Sequence, residues 1–308
     1  MMYFSLFIVL VLSLLLLNKL YKNTNFYRNK FIDTDKFIDI SKNLEVINLG
    51  SNQPKFAFDY THSKVLGMNW AVGPQTLEYD FRVLKNYHEY LKKDAKVIIA
   101  ISPFQFFLDK YKNDAANHKY YKFIDPSSID GFSNIKKAMY IDFPLLTTKK
   151  QILRIIKDIP ADTRLELQTN LLNSEQIKQD AQRWVDGWKE QFAIKDIQNI
   201  ILTDENKTNI EKNIKLLRSM IAFCKEKEFE PVLLVLPVTK ELSSLFPDQF
   251  FQKYVLDPIV EAKGENTKLL NYWKDERFEA SVNYIDSFLM NKVGRDKFTK
   301  VVLEALIK

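Results

Sequence analysis

The sequence predicts a three-layer α/β domain built on a parallel sheet and tied to an amino-terminal membrane helix. Three observations carry that expectation. An uncharged apolar run opens the chain. Short apolar runs rich in β-branched residues, such as Val97–Ile101 and Pro231–Leu236, read as strands covered on both faces. Amphipathic helical stretches alternate with those runs, which is the pattern of βα units feeding a parallel sheet. At 308 residues, 46% hydrophobic and 27% charged, the chain can bury a large core and is unlike a disordered or fibrous one.

Residues 1–17 (MMYFSLFIVLVLSLLLL) carry no charge and only Ser5 and Ser13 interrupt them. With Leu20 and Tyr21 the stretch reaches about 20 residues, the length that crosses some 30 Å of hydrocarbon. It lacks the polar face that a core helix shows at a 3.6-residue period. A cleaved signal would carry Lys or Arg before the run and a small-x-small site after it, whereas Asn18-Lys19-Leu20-Tyr21-Lys22 follows here. Residues 1–21 are therefore expected to form an uncleaved single-span anchor, with membrane lipid as its partner. Lys19, Lys22, Arg28 and Lys30 come after the helix, and the positive-inside tendency alone places the body in the cytoplasm.

A polar stalk (22–43) leads into the main domain (44–308). Leu44–Leu49 reads as a strand ending in the turn Gly50-Ser51-Asn52-Gln53-Pro54, and Lys64–Met68 as a second short strand. Thr76–Leu91 places Leu77, Phe81, Leu84, Tyr87 and Leu91 on one helical stripe. Residues 103–200 break the alternation. They are rich in aromatics and lysine, with helical stretches at Lys149–Lys157 and Ser174–Phe192, and read as a helical insertion or cap. Trp184 and Trp188, four apart, have the spacing of a packed core pair. The alternation resumes with a helix over Asp204–Lys227, the strand Pro231–Leu236, a mostly helical Leu242–Ala262, the strand Lys268–Tyr272 and a last helix over Asn291–Lys308.

Composition narrows the chemistry. One cysteine, Cys224, excludes a disulfide framework and a cysteine zinc cluster; on a long helix it reads as a packed small hydrophobe. The histidines are His62, His88 and His118, so any imidazole chemistry must use one of them. No GxGxxG, GxxxxGK[ST] or GxSxG is present, and no cluster has metal-ligand spacing, so no cofactor is expected. The net charge of +6 is spread along the chain rather than gathered into a basic arm, which speaks against nucleic acid.

In a parallel sheet, ligands bind beyond the carboxyl ends of the strands. Two loops belong there: Gly50-Ser51-Asn52, and Asp286 through Gly294 before the last helix. Read from spacing alone, the first is a turn and the second a capping region, with Gly294 allowing close helix packing. The same residues resemble the SGNH (GDSL-like) hydrolase superfamily. Val46-Ile47-Asn48-Leu49-Gly50-Ser51-Asn52 with Phe58-Asp59 is similar to its first block, and Gly67 through Asp80 to the second. Val97–Ser102 resembles the third strand, Pro231–Val238 a later one, and Asp286–Thr299 the closing block. The similarity is to the membrane-anchored branch that includes teichoic-acid D-alanylation proteins and alginate-type O-acetyltransferases. It covers roughly 44–105 and 205–308 and implies an SGNH/flavodoxin-like sheet with the body on the extracytoplasmic, bacterial surface.

The resemblance also marks departures. The position of the nucleophilic serine is held by Asn52, that of the base histidine by Leu289, and the triad aspartate by Asp286. A carboxamide does not attack an acyl carbon and an isobutyl group does not take a proton. Ser102-Pro103-Phe104-Gln105 stands where relatives carry an oxyanion asparagine, while Asn69 and Gly73 are left to line an oxyanion-hole-like pocket, as donors with no attacking group beside them. The expected role is that of a non-catalytic binding protein in cell-envelope polysaccharide modification, taking a glycan or a membrane-bound acyltransferase as partner, with Ser51, Asn69, Gly73 and Ser102 as binding residues. Two alternatives stand beside it. One is an active esterase or O-acyltransferase with a site rebuilt from Ser51 and His62; the other is a structural membrane protein whose insertion docks protein.

Overall fold

The computed structural model describes residues 2–110, 114–147, 150–156 and 172–307. In chain order the helices and strands are α1 (Met2–Asn23), α2 (Asn25–Asp35), β1 (Leu44–Leu49), α3 (Asn52–Ala57), β2 (Gly67–Asn69), α4 (Leu77–Tyr87), β3 (Leu91–Ile101), α5 (Asn134–Lys137) and α6 (Lys150–Ile156). They continue with α7 (Ser174–Gln191), α8 (Asp204–Glu226), β4 (Glu230–Val235), α9 (Lys240–Ser243), α10 (Asp248–Phe251), α11 (Asp257–Lys263), β5 (Lys268–Asn271) and α12 (Lys292–Ile307). Two compact units result: residues 1–40 with 112–164, and 41–111 with 165–308.

The larger unit is α/β. Its five strands are all parallel in the order β2-β1-β3-β4-β5. Ile47 stands opposite Val97, Val97 opposite Pro231, and Val232 opposite Lys268. Side chains alternate across a strand, so neighbours on β3 and β4 face opposite layers. Val46, Ile98, Ala100, Val232 and Leu234 pack with Phe298, Val302 and Leu303 of α12 and Ala57 of α3. Ile47, Ile99, Ile101 and Leu233, pointing the other way, are fully buried too, as are Leu84 of α4 and Leu217 and Met220 of α8. Burial on both sides is why these strands read as unbroken apolar runs. Cys224 lies in this interior with no exposure, and burial pushes its thiol up to about 12, which makes it inert.

Leu242–Ala262 is mostly helical, as expected, in pieces: the end of α9, α10, a π-helical turn and α11. The stretch expected as one insertion is divided. Residues 112–164 cluster with the amino-terminal segments, and 165–200 with the α/β unit. Lys149 and Lys157, the expected ends of the helix that includes α6, lie outside the described residues.

The smaller unit replaces the expected polar stalk with packed structure. Thr24 caps α2 by accepting from the Tyr27 N–H at 3.2 Å. Tyr27, Phe37 and Ile40 are buried, with Phe37 stacked on Phe123 at 4.5 Å and the Tyr27 hydroxyl donating to the Ile141 carbonyl at 3.3 Å. Lys122 pairs with Asp35 at 2.7 Å, and His118 is buried against the Tyr140 ring at 3.8 Å. α1 is long and apolar enough to cross a membrane over Tyr3–Asn23.

Leu233 sits mid-strand in β4 without exposure. Leu233→Ala is expected to lower the stability of the α/β unit by about 2–5 kcal/mol in urea unfolding; a loss under about 0.5 kcal/mol would contradict the buried placement of that face.

Candidate functional site

The first loop of interest leaves β1 at Gly50. The Gly50 N–H donates to Asp80 Oδ1 at 2.7 Å, and the Gln75 side chain donates to the same oxygen at 2.5 Å. Ser51 Oγ accepts from the Gln75 N–H at 2.9 Å, so the turn is stitched to the segment before α4. Asn52 opens α3. Its carboxamide rests on Gly73, where an added Cβ would lie 1.6 Å from Asn52 Oδ1. A side chain at 73 would displace the Asn52 carboxamide; glycine suits the position by that contact, not by backbone angle.

Asn69 at the end of β2 is a structural clamp. Its Oδ1 accepts from Asn48 Nδ2 at 2.8 Å and from the Ala71 N–H at 3.0 Å. Its Nδ2 lies 3.2, 3.0 and 3.0 Å from the carbonyls of Pro54, Lys55 and Phe58. The amide hydrogens that would serve an oxyanion are thereby turned onto the carboxyl end of α3.

The second loop, before α12, is folded by Asp286. Its Oδ1 accepts the N–H groups of Phe288 at 2.8 Å and Leu289 at 2.7 Å. Burial pushes the Asp286 carboxyl above its usual range, against the pull of those two donors, and the nearby Asp180 charge adds to the rise. Leu289 is buried. Asp286 thus turns its own loop and does not cap α12; that cap is Asn291, whose Oδ1 accepts the Gly294 N–H at 3.0 Å, and Gly294 packs where a Cβ would lie 2.1 Å from the Asn283 carbonyl oxygen.

Asp180 of α7 fastens this loop. Its Oδ2 accepts from the Ser287 N–H at 2.9 Å and the Ser287 hydroxyl at 2.6 Å, and Arg183 binds its other oxygen at 2.5 Å. Burial would raise the Asp180 carboxyl, but the Ser287 hydrogen bonds and the Arg183 charge outweigh it and hold it low. From the other side, Thr239 donates through its N–H and hydroxyl to the Ser287 carbonyl at 3.2 and 3.0 Å.

These bonds bring the two loops to one cavity of about 210 Å³. Ser51, Asn52 and Gln53 line it from the first loop, Ser102 and Gln105 from beyond β3, Trp184 and Trp188 from α7, and Phe288 from the second loop. The strand order reverses between β1 and β3, so the site occupies the switch point of the sheet. Ser102 donates to Gln53 Oε1 at 3.1 Å, and Gln53 Nε2 to the Pro237 carbonyl at 3.3 Å. Trp184 lies 5.5 Å from Trp188 and 4.8 Å from Phe288, ring centre to ring centre. The tryptophan pair expected in a core is instead half-buried and forms a cavity wall.

Two features set the chemistry. Among the described residues, no ionisable side chain lines the cavity; its polar groups are Ser51, Ser102, Asn52 and the glutamines Gln53, Gln75, Gln105 and Gln191. Gln105, 5% exposed, and Trp184 each keep a buried side-chain N–H with no hydrogen-bond partner. Buried donors are rarely left unpaired, and a bound acceptor is one way to satisfy them. Of the expected site residues, Ser51, Asn52 and Ser102 line the cavity, Gly73 supports Asn52 from behind, and Asp286 and Leu289 shape the loop that delivers Phe288. His62 lines a different cavity, with Asp59, Asp296 and Lys300, so no Ser51–His62 pair is assembled. Asp180 and the glutamines were not singled out from sequence. No family model matches the chain, and no curated protein matches it.

Two outcomes follow from these contacts. Gly73→Ala is expected to destabilise by about 1–3 kcal/mol through overpacking, with Asn52→Gly in the same chain restoring most of it; strict additivity in the double-mutant cycle would refute the Asn52–Gly73 contact. Asp180→Ala is expected to cost about 1–3 kcal/mol by orphaning the Ser287 donors. Because the Asp180 carboxyl is held low in the fold, its contribution is complete above about pH 4 and fades as pH falls through its lowered folded value. Stability of the wild type, compared with Asp180→Ala, therefore converges in acid; a difference unchanged from pH 7 to pH 2 would argue against the clamp.

Proposed function

We propose that this chain is a membrane-anchored, SGNH-like binding protein that holds a neutral sugar unit at the sheet edge without hydrolysing it, on the extracytoplasmic side of the membrane. The observation that carries the reading is the cavity lining: aromatic rings beside amides and hydroxyls, with no charge. A pyranose has apolar C–H faces that rest on indole or phenyl rings, and hydroxyl oxygens that accept from amide and indole N–H groups. Neutral glutamines match a polyhydroxylated ligand and give a carboxylate or ammonium group no counter-charge for what it would lose in hydration. The volume lies below the roughly 300–1,000 Å³ of drug-sized pockets, which favours one ring over a long segment.

The same lining speaks against acyl transfer. Ser51 Oγ accepts from a backbone N–H and has no imidazole or carboxylate beside it in the cavity. Asn52 and Leu289 stand where the SGNH resemblance puts the nucleophile and the base. A serine without its base loses several orders of magnitude in rate. A glycan fits the cell-envelope role that the resemblance implies, with a membrane-bound acyltransferase as the partner acting on it.

Binding is measured on the full chain in nanodiscs by tryptophan fluorescence, with glucose, N-acetylglucosamine, glucosamine and glucuronate as probes. Neutral sugars are expected to bind more tightly than the charged pair, and Trp184→Ala or Gln105→Leu to weaken them about tenfold or more, equivalent to about 1.4 kcal/mol. Preference for glucuronate or glucosamine, or indifference to both substitutions, would overturn the reading.

A further inference from the structure

The smaller unit carries a surface that the anchor alone does not explain. The unbroken exposed stretch of α1 is residues 3–16, fourteen residues or about 21 Å of helix; beyond it Lys19 and Leu20 are exposed while Asn18 and Tyr21 are buried. A hydrocarbon core is about 30 Å thick, so the missing length of about six residues falls on the stretch from Leu17 to Lys22. That stretch is packed on one side, with Lys19 and Leu20 left exposed. Asn18 donates to the Asp142 carbonyl at 2.8 Å and accepts from the Leu145 N–H at 3.3 Å, and Tyr21 is buried edge-on to Tyr27 at 5.5 Å. The segments that pack there are Pro144–Thr147 and α6. If α1 crosses a bilayer, those segments sit at the level of its last third.

Their outward residues suit that depth. Leu146, Ile152, Leu153 and Ile156 are 62%, 48%, 56% and 76% exposed, while the polar Gln151 is turned inward and donates to Thr147 Oγ1 at 3.1 Å. Large aliphatics crowded on a face in water would be costly, and on a short helix beside a membrane span they are the mark of an interfacial segment. The charge at this level is cationic. Lys19, Arg28 and Lys150 are exposed, Arg154 lies over the Phe26 ring at 3.4 Å, and Asp142 is the one acidic residue within 17–28 and the described part of 142–156.

We infer that residues 142–147 and 150–156 form an interfacial collar against the end of the anchor, with Leu146, Ile152, Leu153 and Ile156 inserted at the headgroup–acyl boundary of an anionic leaflet. The inference rests on the reading of α1 as a membrane span. It adds that the span is completed by protein and lipid together, so this unit is held against the bilayer instead of swinging from a free stalk.

The test uses the full chain in vesicles of phosphatidylcholine and phosphatidylglycerol, spin-labelled singly at Leu146→Cys, Leu153→Cys or Ile156→Cys; Cys224 is buried and does not compete. Leu10→Cys reports a lipid site and Val282→Cys an exposed site of the α/β unit. Labels at Leu146, Leu153 and Ile156 are expected to be oxygen-accessible and at least about fivefold less accessible than Val282→Cys to a water-soluble nickel complex. Nickel accessibility equal to Val282→Cys, with Leu10→Cys still in lipid, overturns the collar and leaves the anchor standing. Leu10→Cys in water overturns both.

Discussion

The carboxylate of Asp180 accepts two hydrogen bonds from Ser287, and the candidate site depends on that contact. It joins an element from outside the repeating βα pattern to the loop that closes the domain. Trp184 and Trp188 lie one and two turns further along the same helix, so the contact that fixes the loop also sets the aromatic wall. Thr239 holds Ser287 from the β4 side, and Gln53 reaches the Pro237 carbonyl two residues earlier. Loops after β1 and β4, the loop before α12 and helix α7 are thus fixed by a short series of hydrogen bonds around one cavity. The parallel sheet makes this feasible because every strand delivers its following loop to the same edge.

The residues at the positions marked by the resemblance serve structure here. Asn69 spends its amide on three carbonyls, Asp286 turns a loop, and Asn52 packs on Gly73. What remains at the cavity is a set of neutral hydrogen-bonding groups and rings. Such a surface orients a ligand through shape and hydrogen bonds, and it has nothing to exchange a proton with near neutral pH.

Much of the fold was legible in the sequence because a doubly covered strand leaves an unmistakable trace. Val97–Ile101 and Pro231–Leu236 are apolar at consecutive positions and stand in the middle of the sheet. The smaller unit was not legible. Tyr27 and Phe37 look like scattered aromatics in a polar stalk until Ile141 and Phe123 meet them, about a hundred residues away. Long-range partners of that kind leave no local period to read. At the site, the order of the loops was readable and their contents only partly. Trp184 and Trp188 gave the spacing of a packed pair, which a cavity wall shares, and four scattered glutamines have no pattern until the fold gathers them.

The central claim is that the cavity binds a sugar and leaves it intact. Its most direct test follows acetate release from O-acetylated oligosaccharide by proton NMR, in the same tube where saturation transfer reports binding. The account predicts transfer from the protein to ring protons, with acetate appearing no faster than in buffer. Acetate released in proportion to protein, and abolished by Ser51→Ala, would contradict it.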